Sequence, residues 1–139
     1  MTVVNAYLFQ HVGIPVDDLQ RARQFYTEVL GLNVTKESSG WGADAPVRLH
    51  CGKTADCGQQ VVLFKRRRPA EPRTPEDNGD AHHAFVVTTE EFDKAMLKFK
   101  EMGIFHRGPI TWLTSVHRTL YFFDPDGNYL QISDSPDAL

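Results

Sequence analysis

One pattern of secondary structure occurs twice along the chain. In each half, a strand-like apolar segment leads into an amphipathic helix, and three shorter strand-like segments follow. The first copy starts at His11 and the second at His82, and a helix-ending glycine comes 20 residues after the first histidine and 21 residues after the second. Because an internal repeat fixes the architecture of a chain, this spacing predicts two similar units. The alternative is an ordinary α+β domain with two similar strand–helix openings.

Each predicted helix carries signals for its start and its end. In the first half, Asp17 or Asp18 can serve as the N-cap, and Gly31 is placed to end the helix. In the second half, Thr88 and Glu91 have the spacing of a capping box, in which Thr88 bonds forward and Glu91 reaches back. These signals predict one amphipathic helix near the start of each unit.

Proline and glycine mark the boundaries between the remaining segments. Residues 124–127 read Asp-Pro-Asp-Gly, which predicts a tight hairpin between the last two strands. Residues 67–80 combine three prolines and a glycine with charged residues, which is typical of a linker. We therefore predict a single domain over residues 1–139, built from two modules at about 5–66 and 81–135.

Charge and hydropathy argue against two broad functional classes. The formal net charge is −3 and the pI is about 6.0, whereas a dedicated nucleic-acid-binding protein usually has a basic excess. The basic run at residues 65–68 is local, and we interpret it as a solvated loop edge. The apolar stretches are too short to cross a bilayer, and no basic segment precedes an apolar run at the N-terminus. We therefore expect no nucleic-acid partner, no membrane association and a cytoplasmic location.

The two cysteines do not indicate a disulfide framework. Cys51 and Cys57 are not spaced as a CxxC motif, and two cysteines cannot build a multi-bridge scaffold. A zinc site formed by His50, Cys51 and Cys57 lacks a fourth ligand in the local sequence. We interpret both cysteines as reduced thiols.

Three stretches of the sequence resemble the vicinal oxygen chelate superfamily. They are FQHVGIPV at residues 9–16 with the helix end FYTEVLGL at 25–32, HHAFVV at 82–87, and LYFFDPDGNYLQI at 120–132. The superfamily includes glyoxalase I, the fosfomycin- and bleomycin-resistance proteins and the extradiol dioxygenases. The resemblance covers essentially the whole chain. It implies an α+β fold in which two tandem βαβββ modules form an open eight-stranded cup, and it implies a homodimer.

The resemblance also implies a metal site. In the metal-dependent members, the first and last strands of each module supply the ligands, which here assigns His11, His82 and Gln131 to a divalent ion such as Zn, Mn, Fe or Ni. His82 matches the family's His-x-Ala pattern, and strand alternation puts His83 on the other face. The family carries Glu at the Gln131 position, and the corresponding first-module position, about Val62, offers no ligand. The expected ligand set therefore lacks a carboxylate, which weakens it for a divalent metal.

Six other side chains are candidates for contact with a small-molecule substrate. Arg48 and His50 share one face of a predicted strand, while His117 and Tyr121 share one face of its counterpart in the second half. Aromatic side chains supply candidate apolar walls. The predicted substrate-binding residues are Arg48, His50, Phe64, Trp112, His117 and Tyr121.

Three functional hypotheses follow from these residues and from the resemblance. The first is a metal-assisted lyase, isomerase, transferase or dioxygenase that acts on a small oxygen-rich molecule. The second is a metal-free protein that binds and sequesters a drug or metabolite, in which His11 and His82 are polar residues that hydrogen-bond the ligand. The third is a dimeric partner module without any ligand. No Ser-His-Asp order, glycine-rich phosphate loop or nucleophile elbow is present in the sequence.

Overall fold

A computed structural model gives the fold of residues 3–4, 6, 9–37, 42–52, 59–68, 81–112 and 117–135. The chain divides into two compact units, Met1–Glu71 and Pro72–Leu139, which we call the first and second modules. Cys57 and most of the predicted linker, from residue 69 to residue 80, lie outside the described residues. The module boundaries at 5–66 and 81–135 therefore stay a prediction.

The first module has the element order βαβββ. Its elements are β1 (His11–Val16), α1 (Leu19–Glu28), β2 (Asn33–Glu37), β3 (Val47–His50) and β4 (Gln60–Lys65). The strands form one sheet in the order β1-β4-β3-β2, in which β1 and β4 are parallel and the other neighbours are antiparallel. A short 3-10 turn at Gly42–Asp44 separates β2 from β3.

The second module repeats this order and this sheet. Its elements are β5 (His83–Val87), α2 (Thr89–Glu101), β6 (His106–Thr111), β7 (Arg118–Phe123) and β8 (Tyr129–Asp134). The strand order is β5-β8-β7-β6, again with one parallel pair, β5 with β8, and two antiparallel pairs. The predicted α+β class and the two tandem βαβββ modules are thereby confirmed.

The helix signals in the sequence are confirmed with one correction. Asp18 is the N-cap of α1, where its carboxylate accepts from the Arg21 N–H at 3.0 Å, and this bond lowers the pKa of Asp18. Thr88 caps α2 by accepting from the Glu91 N–H at 3.2 Å. The Glu91 carboxylate does not reach back to close a capping box. It lies 3.4 Å from the Lys94 ammonium instead, because an exposed cation one turn along the helix is within reach.

In the second module, α2 lies against β8 and covers one face of the sheet. The buried ring of Phe99 meets the ring of Phe122 on β7, with 4.8 Å between centroids. The Arg118 guanidinium lies 4.4 Å above the Phe92 ring and donates to Asp93 and Asp134, each at 2.8 Å. These contacts attach the helix to β7 and β8 through both apolar packing and ion pairs.

In the first module, α1 lies against β4. Tyr26 of the helix is fully buried, as are Ile14 and Val16 of β1 and Leu63 of β4. Successive strand residues point to opposite faces, so the residues between these buried positions lie on the other side of the sheet.

We call the side of each sheet away from its own helix the distal face. The register places on the first distal face His11, Gly13, Pro15, Arg48, His50, Gln60, Val62 and Phe64. It places on the second distal face Ala84, Val86, Arg107, Ile110, Thr119, Tyr121, Phe123, Tyr129, Gln131 and Ser133. These two faces carry most of the polar and aromatic residues singled out from the sequence.

Neither of the two helices in the described ranges has the length and apolar character needed to span a bilayer.

Candidate functional site

Gln131 lies in the middle of the second distal face. Its strand β8 runs between β5 and β7, and Gln131 is paired with Ala84 on one side and with Tyr121 on the other. The amide nitrogen Nε2 donates a hydrogen bond of 2.6 Å to the Ser133 hydroxyl. Among the described residues this is the one side-chain hydrogen bond of Gln131. The amide carbonyl oxygen is therefore available to accept a hydrogen bond or to ligate a metal.

His82 lies on the same face as Gln131. It directly precedes β5 and is exposed, and its ring makes edge contacts with Tyr121 and Tyr129 at centroid distances of 5.7 and 6.0 Å. Because both tyrosines belong to the second distal face, His82 is held there, diagonal to Gln131 across β5 and β8. The structure thus brings two of the three expected ligand side chains together within one module.

His83 belongs to the opposite face. It pairs with Leu130, which is fully buried on the helix side of β8. Burial lowers the pKa of His83 and the nearby His82 lowers it further, while Asp124 acts in the opposite direction. The imidazole of His83 therefore packs on the side of the core, as strand alternation predicts.

The first module repeats the register of this site with different side chains. Gly13 pairs with Val62 in the way that Ala84 pairs with Gln131, so Val62 occupies the position that Gln131 holds in the second module. Val62 is apolar and only 1% exposed. The first module therefore offers no ligand at the last-strand position.

His11 is the register equivalent of His82. It is exposed at the start of β1, two residues before Gly13, as His82 is two residues before Ala84. Its Nδ1 lies 2.9 Å from the side-chain oxygen of Gln10. Because that oxygen can only accept, Nδ1 carries the proton and Nε2 presents a lone pair.

Three other predicted substrate-binding residues lie on the first distal face in different environments. Arg48 donates from Nη1 to the side-chain oxygen of Gln60 at 3.0 Å. His50 is buried, at 7% exposure, and its Nδ1 donates to the Cys51 carbonyl at 3.2 Å. Phe64 is 43% exposed. Of the three, Arg48 and Phe64 are accessible to a ligand, and the His50 ring is largely withdrawn.

An aromatic cluster surrounds Gln131 in the second module. Tyr121 stacks on Tyr129 at 5.5 Å between centroids, and Tyr129 stacks on Phe123 at 5.0 Å. The indole Nε1 of Trp112 donates to the Tyr121 hydroxyl at 3.2 Å, which brings Trp112 to the same face. Of the predicted residues, Tyr121 therefore lies beside His82, and Trp112 lies beside Tyr121.

His117 lies next to the ion pair that attaches α2. It directly precedes β7, and its charge is one of those that lower the pKa of Asp134. Burial by itself raises the pKa of Asp134, but the hydrogen bonds from Arg118 and the nearby positive charges outweigh it. A substrate contact for His117 stays a prediction.

Arg107 is a residue of this face that the sequence reasoning missed. Its guanidinium lies 5.9 Å from the centroid of the Tyr121 ring, and its side chain is exposed. The signal was present in the sequence, because Gly108 and Pro109 within a predicted strand are typical of a β-bulge. A bulge shifts the alternation of side chains between the two faces of a strand. Strict alternation counted back from Trp112 therefore assigns Arg107 to the wrong face.

The described strands place positive charge and no carboxylate on the two distal faces. None of the strand residues assigned above to these faces is Asp or Glu, whereas the first face holds Arg48 and the second holds Arg107. In the described part of the chain, no group of three or more His, Cys, Asp and Glu side chains is suited to a metal ion. Any ligand set on these faces is therefore neutral, and an anion is attracted to them.

The donor atoms on the second distal face fit a divalent metal weakly. Imidazole is a good ligand for Zn, Mn, Fe and Ni, and the amide oxygen of Gln131 is a hard donor with the reach of a glutamate. This ligand set lacks the negative charge that a carboxylate supplies. The positive charge of a divalent ion held there is therefore not compensated.

Comparison with known proteins supports the resemblance. The family model of the Glyoxalase/Bleomycin resistance protein/Dioxygenase superfamily matches residues 8–132. The chain is 26% identical to the glutathione transferase FosA of Serratia marcescens over 124 residues, which cover 88% of this chain and 77% of FosA. It is 32% identical to biphenyl-2,3-diol 1,2-dioxygenase 3 of Rhodococcus globerulus over 126 residues, which cover 88% of this chain and 60% of the dioxygenase.

The fold agrees with solved structures of the same superfamily. A glyoxalase/dioxygenase from Nostoc punctiforme superposes with a TM-score of 0.71 at 27% identity, covering 96% of this chain and 99% of that protein. The family match extends over nearly the whole sequence, including both modules and the strands that carry His11 and Gln131. The chain therefore belongs to the glyoxalase/bleomycin resistance protein/dioxygenase superfamily.

Proposed function

We propose that this protein is a metal-assisted enzyme of its superfamily that acts on a small, oxygen-rich anion. The observation that carries the proposal is the placement of the exposed His82 ring on the same face as the free carbonyl oxygen of Gln131. Following the family resemblance, we also assign His11, which holds in the first module the register position of His82, to this ion. The family resemblance supports this set of three ligands.

Because the proposed ligand set has no carboxylate, we expect the substrate to be an anion. His11, His82 and Gln131 are all neutral ligands, so they leave the charge of a divalent ion uncompensated. An anionic substrate supplies that charge, and the arginine on each distal face attracts it. By linkage, the anion then tightens metal binding by the same factor as the metal tightens anion binding.

When bound, the metal supplies Lewis acidity that stabilises negative charge developing on adjacent oxygens of the substrate. The chain's own residues bind and orient the molecule. Arg107 donates to its oxygens, and the rings of Trp112 and Tyr121 form an apolar wall; a substrate contact for Arg48 on the first distal face stays a prediction. Since the described strands place no carboxylate base on either distal face, a reaction that needs proton abstraction by Glu is disfavoured.

The name of one relative supports an oxygen-rich substrate. The Rhodococcus globerulus relative is a dioxygenase named for an aromatic diol whose two hydroxyl groups are adjacent. The chain spans 60% of the length of the dioxygenase. Which of the lyase, isomerase, transferase or dioxygenase reactions applies is open in this proposal.

A second candidate function is metal-free binding of a small anion. It is favoured by a specific observation, because the described strands place an arginine on each distal face and no Asp or Glu on either. In this case, His11 and His82 form hydrogen bonds with the ligand, and the protein sequesters it without reaction.

Metal content and two histidine variants test the proposal. Purified protein supplemented with Mn²⁺ or Zn²⁺ is expected to hold one ion per chain by elemental analysis. His82→Ala should remove it, whereas His83→Ala should keep it, because His83 lies on the helix face. Loss of thermal stability in either variant is checked by circular dichroism. If the supplemented wild type holds no ion, the metal-free binding function replaces this proposal.

A further inference from the structure

A bulge in strand β6 brings two side chains to one face. Arg107 pairs with Tyr121 and Ile110 pairs with Thr119, so three steps along β6 correspond to two steps along β7. Without the extra residue, Arg107 and Trp112 would lie on opposite faces, because they are five positions apart. With it, both flank the ring of Tyr121.

The hydrogen bond between Trp112 and Tyr121 determines which atom of the Tyr121 hydroxyl group can still form a hydrogen bond with a ligand. An indole N–H is a donor only, so the Tyr121 oxygen accepts from it at 3.2 Å. The phenolic hydrogen of Tyr121 has no acceptor among the described residues and is free to donate. The same bond holds the Trp112 indole, which is 45% exposed, in a fixed orientation.

The Arg107 guanidinium is the charged member of this cluster. It is exposed, and its one polar or ring contact within the described residues is with the Tyr121 ring, at 5.9 Å. None of the described strand residues on its face of the sheet is a carboxylate. Arg107 and the Tyr121 hydroxyl therefore present unused donors side by side, beside an exposed aromatic surface.

We infer that Arg107, Tyr121 and Trp112 form a binding site for the carboxylate of a small aromatic acid. The guanidinium and the phenolic O–H donate to the carboxylate oxygens, since Arg geometry suits a planar oxyanion. The ring of the ligand packs on the indole of Trp112. The inference rests on the proposed function, and it names the substrate class of that site as aryl carboxylates.

Calorimetry with three small probes tests the inference on protein from which metal has been removed. Benzoate carries both the charge and the ring, acetate lacks the ring, and benzamide lacks the charge. Benzoate should bind at least about tenfold more tightly than acetate or benzamide. Only benzoate has both a carboxylate for Arg107 and Tyr121 and a ring for the indole of Trp112. The indole N–H signal of Trp112, assigned with Trp112→Phe, should shift on addition of benzoate.

Matched variants locate the site. Arg107→Gln should weaken benzoate binding by about tenfold or more through the loss of charged hydrogen bonds. Trp112→Leu should weaken benzoate binding by roughly threefold while leaving acetate binding unchanged. Arg67→Gln removes an equally exposed arginine just after β4 and should have no effect.

Two outcomes would overturn the inference. One is equal binding of the three probes to the wild type, and the other is unchanged benzoate binding in Arg107→Gln. Because these titrations contain no metal, their result is independent of the metal site. If benzoate does not bind but the His82-dependent metal site is intact, only the proposed substrate class is wrong. If benzoate binds but the protein has no metal site, the metal-assisted function is wrong and the inference stands.

Discussion

The side-chain nitrogen of Gln131 donates to the Ser133 hydroxyl over 2.6 Å, two residues along the same strand. This bond fixes the orientation of the amide, so that the nitrogen is occupied and the carbonyl oxygen remains for a ligand. We expect this bond to keep Gln131 as an oxygen donor. The proposed metal site depends on this orientation.

Ser133→Ala tests the role of that hydrogen bond. Without the hydroxyl, the Gln131 amide can rotate, and we expect Mn²⁺ affinity to fall by about tenfold, the lower end of the effect of losing an outer-shell partner. Calorimetric titration of the variant with Mn²⁺ measures it. Ser135→Ala, just beyond the end of β8, is the control and should bind as the wild type does. Equal affinities in all three proteins would show that Ser133 does not orient the ligand.

Asp134→Asn tests the ion pair that attaches α2. The Asp134 carboxylate accepts from the backbone N–H of Arg118 at 2.7 Å and from its Nε at 2.8 Å, so we expect the variant to lose about 1–2 kcal/mol of unfolding free energy at pH 7. The pKa of Asp134 is lowered in the folded chain. The contribution of the Asp134 charge to the unfolding free energy is therefore fully present above the unfolded-state pKa of about 3.9. It is lost as the pH falls through the pKa of Asp134 in the folded chain.

Urea unfolding of both proteins between pH 7 and pH 2.5 measures this dependence. The difference in unfolding free energy should be largest at pH 7 and should shrink in the acid range. A difference that stays constant down to pH 2.5 would mean that the charge of Asp134 does not contribute.

Gly108→Ala tests the bulge in β6. The residue has a φ of 121°, and a Cβ there would lie 2.6 Å from the Thr119 carbonyl oxygen. We expect a loss of about 2–3 kcal/mol in unfolding free energy, since both backbone strain and a backbone clash contribute. Gly31→Ala is the matched control, because its φ is 69° and nothing lies within 4 Å of its Cβ position. That variant should lose only about 1 kcal/mol, and equal losses would contradict the clash.

The expected homodimer is tested by the mass of the protein in solution. Large apolar side chains are exposed near the end of α2, where Leu97 is 67%, Met102 59% and Phe105 72% exposed. Exposed apolar surface of this kind commonly marks an interface. Light scattering at low concentration should give about twice the chain mass, whereas a value near 15.8 kDa would contradict a dimer.

The sequence was sufficient to predict the elements and most of the faces. The spacing of His11, His82 and the two helix-ending glycines predicted the repeated βαβββ order, and alternation along β5 assigned His82 and His83 to opposite faces. These features follow from local periodicity and turn chemistry, which a single sequence displays directly.

Other features depend on contacts that periodicity does not encode. Arg107 reaches the second distal face because of a bulge that shifts the register of β6 by one residue. His50 lies on the expected face but is buried, since its Nδ1 bonds to the Cys51 carbonyl. The Glu91 carboxylate pairs with Lys94 and not with the backbone N–H of Thr88. In each case a neighbouring group, not the pattern, decides the outcome.

The most direct test of the metal-assisted function is the metal affinity of Gln131→Glu. Glu and Gln are nearly isosteric, so the change adds a negative charge with little repacking, and it should tighten binding of Zn²⁺, Mn²⁺ or Fe²⁺ at least about tenfold by calorimetry. Adding His82→Ala should abolish the gain, whereas adding His83→Ala should not, because His83 lies on the helix face. No gain for Gln131→Glu, or a gain that survives His82→Ala, would contradict a metal site at these residues.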